Sequence, residues 1–406
     1  MQSSFTFIDL FSGIGGFHQA MTNLGGRCVL ASEIDEFAIE TYKSNYGMDS
    51  GVNVNDLQEA DIPDHDVLCA GFPCQPFSKA GAQAGFEDET KGTLFFQICR
   101  ILKAKKPKFI VLENVRNLVS HDHGRTFQII RDRLISLGYV ITETPIIMSP
   151  HQLGVPQFRE RVYILGIHKS AGVTSLDFSM PTQKYDFSDI FASGIIDTEA
   201  PNKYRISKYE EKVLTCWDEF YKGLCDQDKV IGFPVWMEEF KETYDYTGLP
   251  EWKQTFIRKN RELYARNKRF INRWLTKWNN LEGFTPTHRK FEWQAGRTIP
   301  SIWDGFIQLR PSGVRVKKPT FFPALVAMVQ IPIIGKYRRR LTPREAARLQ
   351  SFPDAFVPNP NDHQAYKQFG NAVNVNCVEY LTSQLLKLGG VSVGGRVTKD
   401  DKVVNR

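Results

Sequence analysis

From Phe5 to about His168, short apolar runs alternate with segments of helical period. The runs read FTFIDLF, RCVLAS, DVLCAGF, KFIVLENV, YVITETPIIM and RVYILGIH. Between them lie stretches such as TLFFQICRILKAKK, with apolar positions three and four apart and a basic last turn. Strands alternating with helices predict an α/β fold built on a mostly parallel sheet covered on both faces. Beyond His168 that rhythm stops. All seven tryptophans lie between Trp217 and Trp303, which marks a second unit of different construction. Within it FIRKNRELYARNKRFINRWLTKW has no Gly or Pro and predicts a long amphipathic helix. Phe256, Leu263, Phe270, Trp274 and Trp278 share its apolar stripe, which reads as core packing. Helix-and-turn patterning returns at RLTPREAARLQSFPD and in the segment after YKQFGNAV, and VSVGGRVTKDDKVVNR reads as a polar tail.

Composition narrows the class. A chain of 406 residues has room for two domains. No stretch approaches the ~18 uninterrupted apolar residues of a membrane span, and Met1 runs directly into FTFIDLF without a signal segment. Seven cysteines, with no CxxC pair and no Cys/His cluster at ligand spacing, point to a reduced cytoplasmic protein without a metal site. The formal charge of +7 is modest, but Lys253 to Arg297 holds twelve Lys/Arg against three acidic residues. That concentration favours phosphate contact over a merely solvated face.

Three places carry chemistry. The FTFIDLF strand runs into Gly13, Gly15 and Gly16 and then a helix, where backbone can approach a ligand closely. Glu33 follows Gly13 by twenty residues, at the distance where a ribose finds its hydroxyl acceptor; its other reading is a cap for the helix EFAIETY. Cys74 stands at the carboxyl end of DVLCAGF between Pro73 and Pro76, which stiffen the turn. A thiol held beside a crevice is a candidate nucleophile, whereas Cys28, Cys69, Cys99 and Cys377 sit in apolar surroundings and read as inert. Glu113 ends KFIVLENV, and strand period places Gln157, Arg159 and Arg161 of QFRERVYILG on one face near the same edge.

These stretches together resemble the DNA cytosine-5 methyltransferases of bacterial restriction-modification systems. The matches are DLFSGIGGFHQA, SEIDEFAIETY, NDLQEAD, GFPCQPFSKAG, GTLFFQICRIL, LENV, QFRERVYILG, RLTPREAARLQSFPD and QFGNAVNVNCV, in the family's order. The resemblance implies a Rossmann-like S-adenosylmethionine-dependent catalytic domain made discontinuously from 1–167 and 338–388. It implies a smaller target-recognition domain at 168–337, leaving 389–406 as tail. Cys74 would add to carbon 6 of a cytosine flipped out of duplex DNA, making carbon 5 nucleophilic. Glu113 would act on ring N3, Arg161 on O2, and Arg159 would fix the carboxylate and substrate backbone. S-adenosylmethionine would lie against Phe11, Gly13, Ile14, Gly15 and Gly16, with Glu33 on the ribose and Ile34 and Asp56 on the adenine. Pro73, Leu94 and the Asn371 loop would close that pocket.

Ile34 stands where the family more often has a tryptophan, and Ala324-Leu325 where it usually has Thr-Leu. Residues 75–92 read as a loop that closes over the base. The Arg344-Glu345 pair reads as a structural brace. The expected partners are double-stranded DNA and a separate cognate restriction endonuclease, with no membrane. The alternatives are a tRNA cytosine-5 methyltransferase, a nicotinamide-dependent oxidoreductase, and a DNA-binding protein without catalysis.

Overall fold

The alternating half of the chain builds a seven-stranded sheet, and the tryptophan-rich part builds a separate six-stranded one. The computed structural model describes residues 4–73, 94–242, 246–325 and 330–393. Two compact units emerge, one from residues 1–185 with 346–406 and one from 186–345.

In the first unit the chain runs β1 (Phe5–Leu10), α1 (Gly16–Asn23), β2 (Gly26–Ser32), α2 (Glu36–Tyr46) and β3 (Val67–Gly71). It continues through α3 (Leu94–Lys105), β4 (Phe109–Val115), α4 (Arg125–Ser136), β5 (Tyr139–Ile141), β6 (Ile146–Met148) and β7 (Arg161–His168). The sheet order is β2-β1-β3-β4-β7-β5, with β6 paired to β7. The β2-β1-β3-β4 pairings are parallel, and β7 runs antiparallel to β4, β5 and β6. YVITETPIIM is therefore two short strands, interrupted between Ile141 and Ile146, rather than one. Because β1 leads outward to β2 while β3 lies on its other side, the strand order reverses there. A crevice opens at such a switch point, beyond the carboxyl ends of the strands.

Strand β1 shows how the sequence selects faces. Ile8 and Leu10 join Leu68, Ile98, Leu102 and Ile110 in one core layer, while Phe7 and Asp9 point to the other face. Helix α2 starts where the Asp35 carboxylate accepts from Ala38 N at 3.1 Å and ends at Gly47, in the left-handed region. Residues 169–185 stay with this unit because Tyr380 Oη and Gln384 Nε2 donate to the Ser179 carbonyl.

The second unit packs α5 (Lys208–Gly223) and α6 (Glu251–Lys277) on a sheet of β8 (Val235–Trp236), β9 (Lys290–Gln294), β10 (Phe306–Arg310), β11 (Gly313–Lys317), β12 (Ile333–Ile334) and β13 (Arg339–Arg340). Its order is β13-β12-β10-β11-β9-β8. Helix α5 opens with a reciprocal cap between Ser207 and Glu210. Trp217, Trp274 and Trp293 are core residues; Trp217 stacks on Phe291 at 5.0 Å and Tyr221 on Trp293 at 3.6 Å. Of the apolar stripe on α6, Leu263 and Trp274 are buried, while Phe270 and Trp278 are half-buried against the same core.

Glu345 is fully buried, and its partner is Arg339 rather than Arg344. Both guanidinium amines of Arg339 donate to it at 2.7–2.9 Å, as do the Thr342 and Asp197 amides. The short helix α7 (Pro343–Leu349) begins beside this pair; α8 (Asp362–Asn371) and α9 (Val375–Leu388) complete the first unit.

Candidate active site

The glycine loop turns between β1 and α1 by entering the left-handed region at Phe11 (φ 54°), Gly13 (φ 53°) and Gly15 (φ 86°). Its ends are tied by Ser12 N to Ser32 O at 3.0 Å and Gly15 N to Ser12 O at 2.8 Å. A side chain at Gly16 would put its Cβ 2.6 Å from Val373 Cγ2, so only glycine permits that approach. A Cβ at Gly13 would meet nothing within 4 Å, because this part of the loop faces open space.

Glu33 is half-buried beside Gly13. One of its carboxylate oxygens accepts from Gly13 N at 2.8 Å, and the other from Ile34 N and Asp35 N at 2.7 and 2.9 Å. It is not the helix cap, since Asp35 performs that role and pairs with Lys367 at 2.7 Å. Ile34, next in sequence, is 71% exposed. The segment bearing Asp56 is moored to the end of β2 by Glu33 N to Ser50 O and Ser32 Oγ to Val52 O, at 2.8 and 2.7 Å. Asp56 itself is exposed.

Underneath the loop lies a polar network that periodicity does not reveal. His18 stacks on Tyr46 at 4.0 Å, with its Nδ1 2.6 Å from Tyr42 Oη, and Tyr46 Oη donates to the Gly15 carbonyl at 2.9 Å. Burial pushes the His18 imidazole down to about 4, and pushes the neighbouring Asp9 carboxyl well up. The His18 imidazole is thereby held neutral at pH 7. His18 occupies a position where dinucleotide-binding loops have glycine, and the stacked ring explains what it does there.

The second half of the site gathers at the ends of β3, β4 and β7. Glu113 is buried, and Arg161 Nε lies 3.1 Å from its Oε1. Burial raises the Glu113 pKa, against the opposing pull of Arg161 and then Arg159. Arg159 is buried and donates through one amine to the Gly370 and Ala372 carbonyls at 2.9 and 3.0 Å. It thereby grips the backbone on both sides of Asn371, which is exposed. Burial and Arg161 press the Arg159 pKa down to about 9, which keeps it charged at neutral pH.

A Cβ placed on Gly71 would lie 3.5 Å from both Val373 Cγ1 and Phe17, and 3.8 Å from Glu113 Oε2. Helix α1, the Asn371 loop and the carboxylate therefore converge on the end of β3. Pro73 there is exposed, while Leu94, at the start of α3, is half-buried against the core.

Cys74 and the loop 75–92 lie outside the described residues. The residue missed by sequence reasoning is Asn114, buried next to Glu113. Its Nδ2 donates 2.8 Å to the carbonyl of Phe72, and its Oδ1 accepts from Val115 N at 2.8 Å. It anchors the backbone directly before Pro73 and Cys74. Gln157 departs from expectation: the strand is interrupted at Arg159–Glu160, so period two does not carry through. Gln157 is buried with its Oε1 accepting from Gln350 Nε2 at 3.2 Å.

Comparison with known proteins fits this arrangement. Residues 5–387 match the family model described as C-5 cytosine-specific DNA methylase. The chain belongs to that family. It is 35% identical to type II methyltransferase M.HpaII of Haemophilus parainfluenzae, over 96% of this chain and 92% of that protein. It is 33% identical to type II methyltransferase M.AluI of Cellulosimicrobium cellulans, over 93% of this chain and 91% of that protein.

Among solved structures, the Entamoeba histolytica methyltransferase EhMeth aligns at a TM-score of 0.54 with 16% identity, covering 95% of this chain and 98% of that one. A putative DNA modification methyltransferase from an E. coli prophage aligns at 0.52 with 22% identity, covering 94% and 99%. Both show the methyltransferase α/β fold. The protein is thus a C-5 cytosine DNA methyltransferase, and the RNA-modifying alternative has no comparable support. No helix among the described residues is long and apolar enough to cross a membrane, and none of those residues forms a metal-binding cluster.

Proposed function

We propose that this methyltransferase is the modification enzyme of a type II restriction-modification system, methylating one cytosine within a short duplex sequence through a Cys74 adduct. The cytoplasm is its proposed location and a separate endonuclease its functional partner. The observation that carries the chemistry is the buried Glu113–Arg161 pair at the end of β4, beside the turn that Asn114 anchors ahead of Cys74.

S-adenosylmethionine fits the groove by its donor and acceptor set. Gly13 faces open space, the Glu33 oxygens retain lone pairs for ribose hydroxyls, and exposed Ile34 offers an apolar face to adenine. Phe11, Ile14, Gly15 and Gly16 would frame the methionine end, with Asp56, Pro73, Leu94 and Asn371 around the adenine and the rim. When bound, it supplies an electrophilic methyl group on a sulfonium.

The chain's own residues prepare the base. The Cys74 thiolate would form the S–C6 bond, and the electron pair of the C5=C6 bond would become available at carbon 5. Glu113, its pKa raised by burial, would donate a proton to N3 so that negative charge does not build up on the ring. Arg161 would hold the cytosine O2 and the carboxylate together, while Arg159 keeps the Asn371 loop seated. Once carbon 5 carries the methyl, its proton would leave to a base, the C–H electron pair would restore the double bond, Cys74 would depart as the thiolate and the N3 proton would return to Glu113. Residues 186–345 would supply sequence recognition.

Bisulfite sequencing of plasmid DNA from cells expressing the chain, beside a Cys74→Ala control, tests this reading. Protected cytosines at one recurrent short motif, absent from the control, are expected. Protection that persists in the control would overturn the nucleophile, and protection without a recurrent motif would overturn the sequence-specific assignment.

A further inference from the structure

Helix α6 is a 27-residue helix on which the basic residues fall into two groups. Four are satisfied within the unit: Arg261 by Glu239, Arg266 by Asp228, Lys268 by Glu242 and Lys277 by Glu219. Of the others, Lys253 is half-buried while Arg258, Lys259, Arg269 and Arg273 are exposed, and none of these five has an ion-pair partner among the described residues. The backbone departs from helical geometry at Asn267 (φ −111°), and on either side of it helical spacing turns Arg258, and then Arg269 and Arg273, away from the buried Leu263, Asn267, Ile271 and Trp274. From Arg258 to Lys277 the only acid is Glu262.

A basic row of this kind costs self-repulsion, which the one acid on its stripe, Glu262, offsets only in part. At 1.5 Å per residue the row spans about 22 Å. A DNA strand carries one phosphate about every 3.4 Å of helix axis, so the row faces several of them.

We propose that Arg258, Arg269 and Arg273 form a phosphate-contacting ridge. It would grip the duplex backbone without reading sequence, and it rests on the duplex-DNA substrate proposed above. The paired residues do not serve, because their charges are already neutralised locally. Base readout would then come from other parts of residues 186–345, and the ridge would set affinity and salt sensitivity.

The test is equilibrium binding of the full-length protein to two duplexes, one bearing the sequence it methylates and one lacking it, from ~50 to ~300 mM salt. Each neutralised phosphate contributes about 0.9 to the slope of log affinity against log salt. The triple variant Arg258→Gln/Arg269→Gln/Arg273→Gln should lose about 2.7 of that slope on both duplexes. Each single variant should lose about 0.9, and an Arg→Lys triple should retain the slope.

An unchanged slope would reduce the row to a solvated face and overturn the proposal. A loss confined to the methylated sequence would overturn it in favour of base readout. The single variants read the same quantity should the triple fail to fold. Wild-type methylation of DNA, measured alongside, tests the substrate assignment separately.

Discussion

Replacing His18 by glutamine should remove one identifiable part of the acid sensitivity of the catalytic unit. In the folded protein the His18 imidazole titrates at about 4, because burial between Tyr46, Tyr42 and Phe7 disfavours its charged form. In the unfolded chain it titrates near 6.5. A depressed histidine pKa means that the unfolded state binds the extra proton between these values. Stability is then fully present above pH ~6.5 and is lost as pH falls towards 4. Linkage gives a loss of about 1.3 kcal/mol between pH 7.5 and 5.5 from this one group, rising to about 3.4 kcal/mol below both pKa values.

The same protonation would strain the ring stack under Gly15, so methyl-donor affinity should weaken over the same range. Urea unfolding midpoints at pH 7.5 and 5.5, for wild type and His18→Gln, measure the first effect. Titration of S-adenosylmethionine binding measures the second. The variant should be less stable at pH 7.5, having lost the stack, yet flatter with pH. Equal pH dependence in the two proteins would refute the linkage.

Asn114→Ala should leave the buried Phe72 carbonyl without its donor, costing about 1–3 kcal/mol. It should also slow single-turnover methylation at least tenfold with DNA affinity nearly unchanged; an unaltered rate would show that the turn before Cys74 needs no such anchor. Arg159→Lys shortens the side chain and draws its nitrogen back from the Gly370 and Ala372 carbonyls, which a single Arg159 amine now reaches. KM for the methyl donor should rise roughly tenfold, checked by initial-rate kinetics, while DNA binding stays within twofold. For Glu113, the raised pKa means that the protonated donor is lost as pH rises through it. The wild-type rate should fall on that limb, and Glu113→Gln should be slow at every pH with the limb abolished in a pH–rate profile. A surviving limb would assign the titration to another group.

The sequence by itself determined the strand-forming runs, the glycine turn, the long basic helix read from Phe256 to Trp278 and the family. Each is written in local terms: a period, a glycine where backbone must bend, or an unbroken chemical motif. Glu113, Arg159 and Arg161 were legible for the same reason, since they end or flank strands at one sheet edge. The tertiary structure alone decided which of these groups meet. Arg159 finds its acceptors more than two hundred residues away, at Gly370 and Ala372. Gln157 is drawn aside to Gln350, and Asn114 turns to the Phe72 carbonyl. His18 and Glu345 likewise acquire their meaning from Tyr46 and Arg339. Local patterning encodes which face of an element is buried, because burial acts residue by residue along the chain. Hydrogen bonds and buried charge pairs depend on where distant segments end up, and only the folded path fixes that.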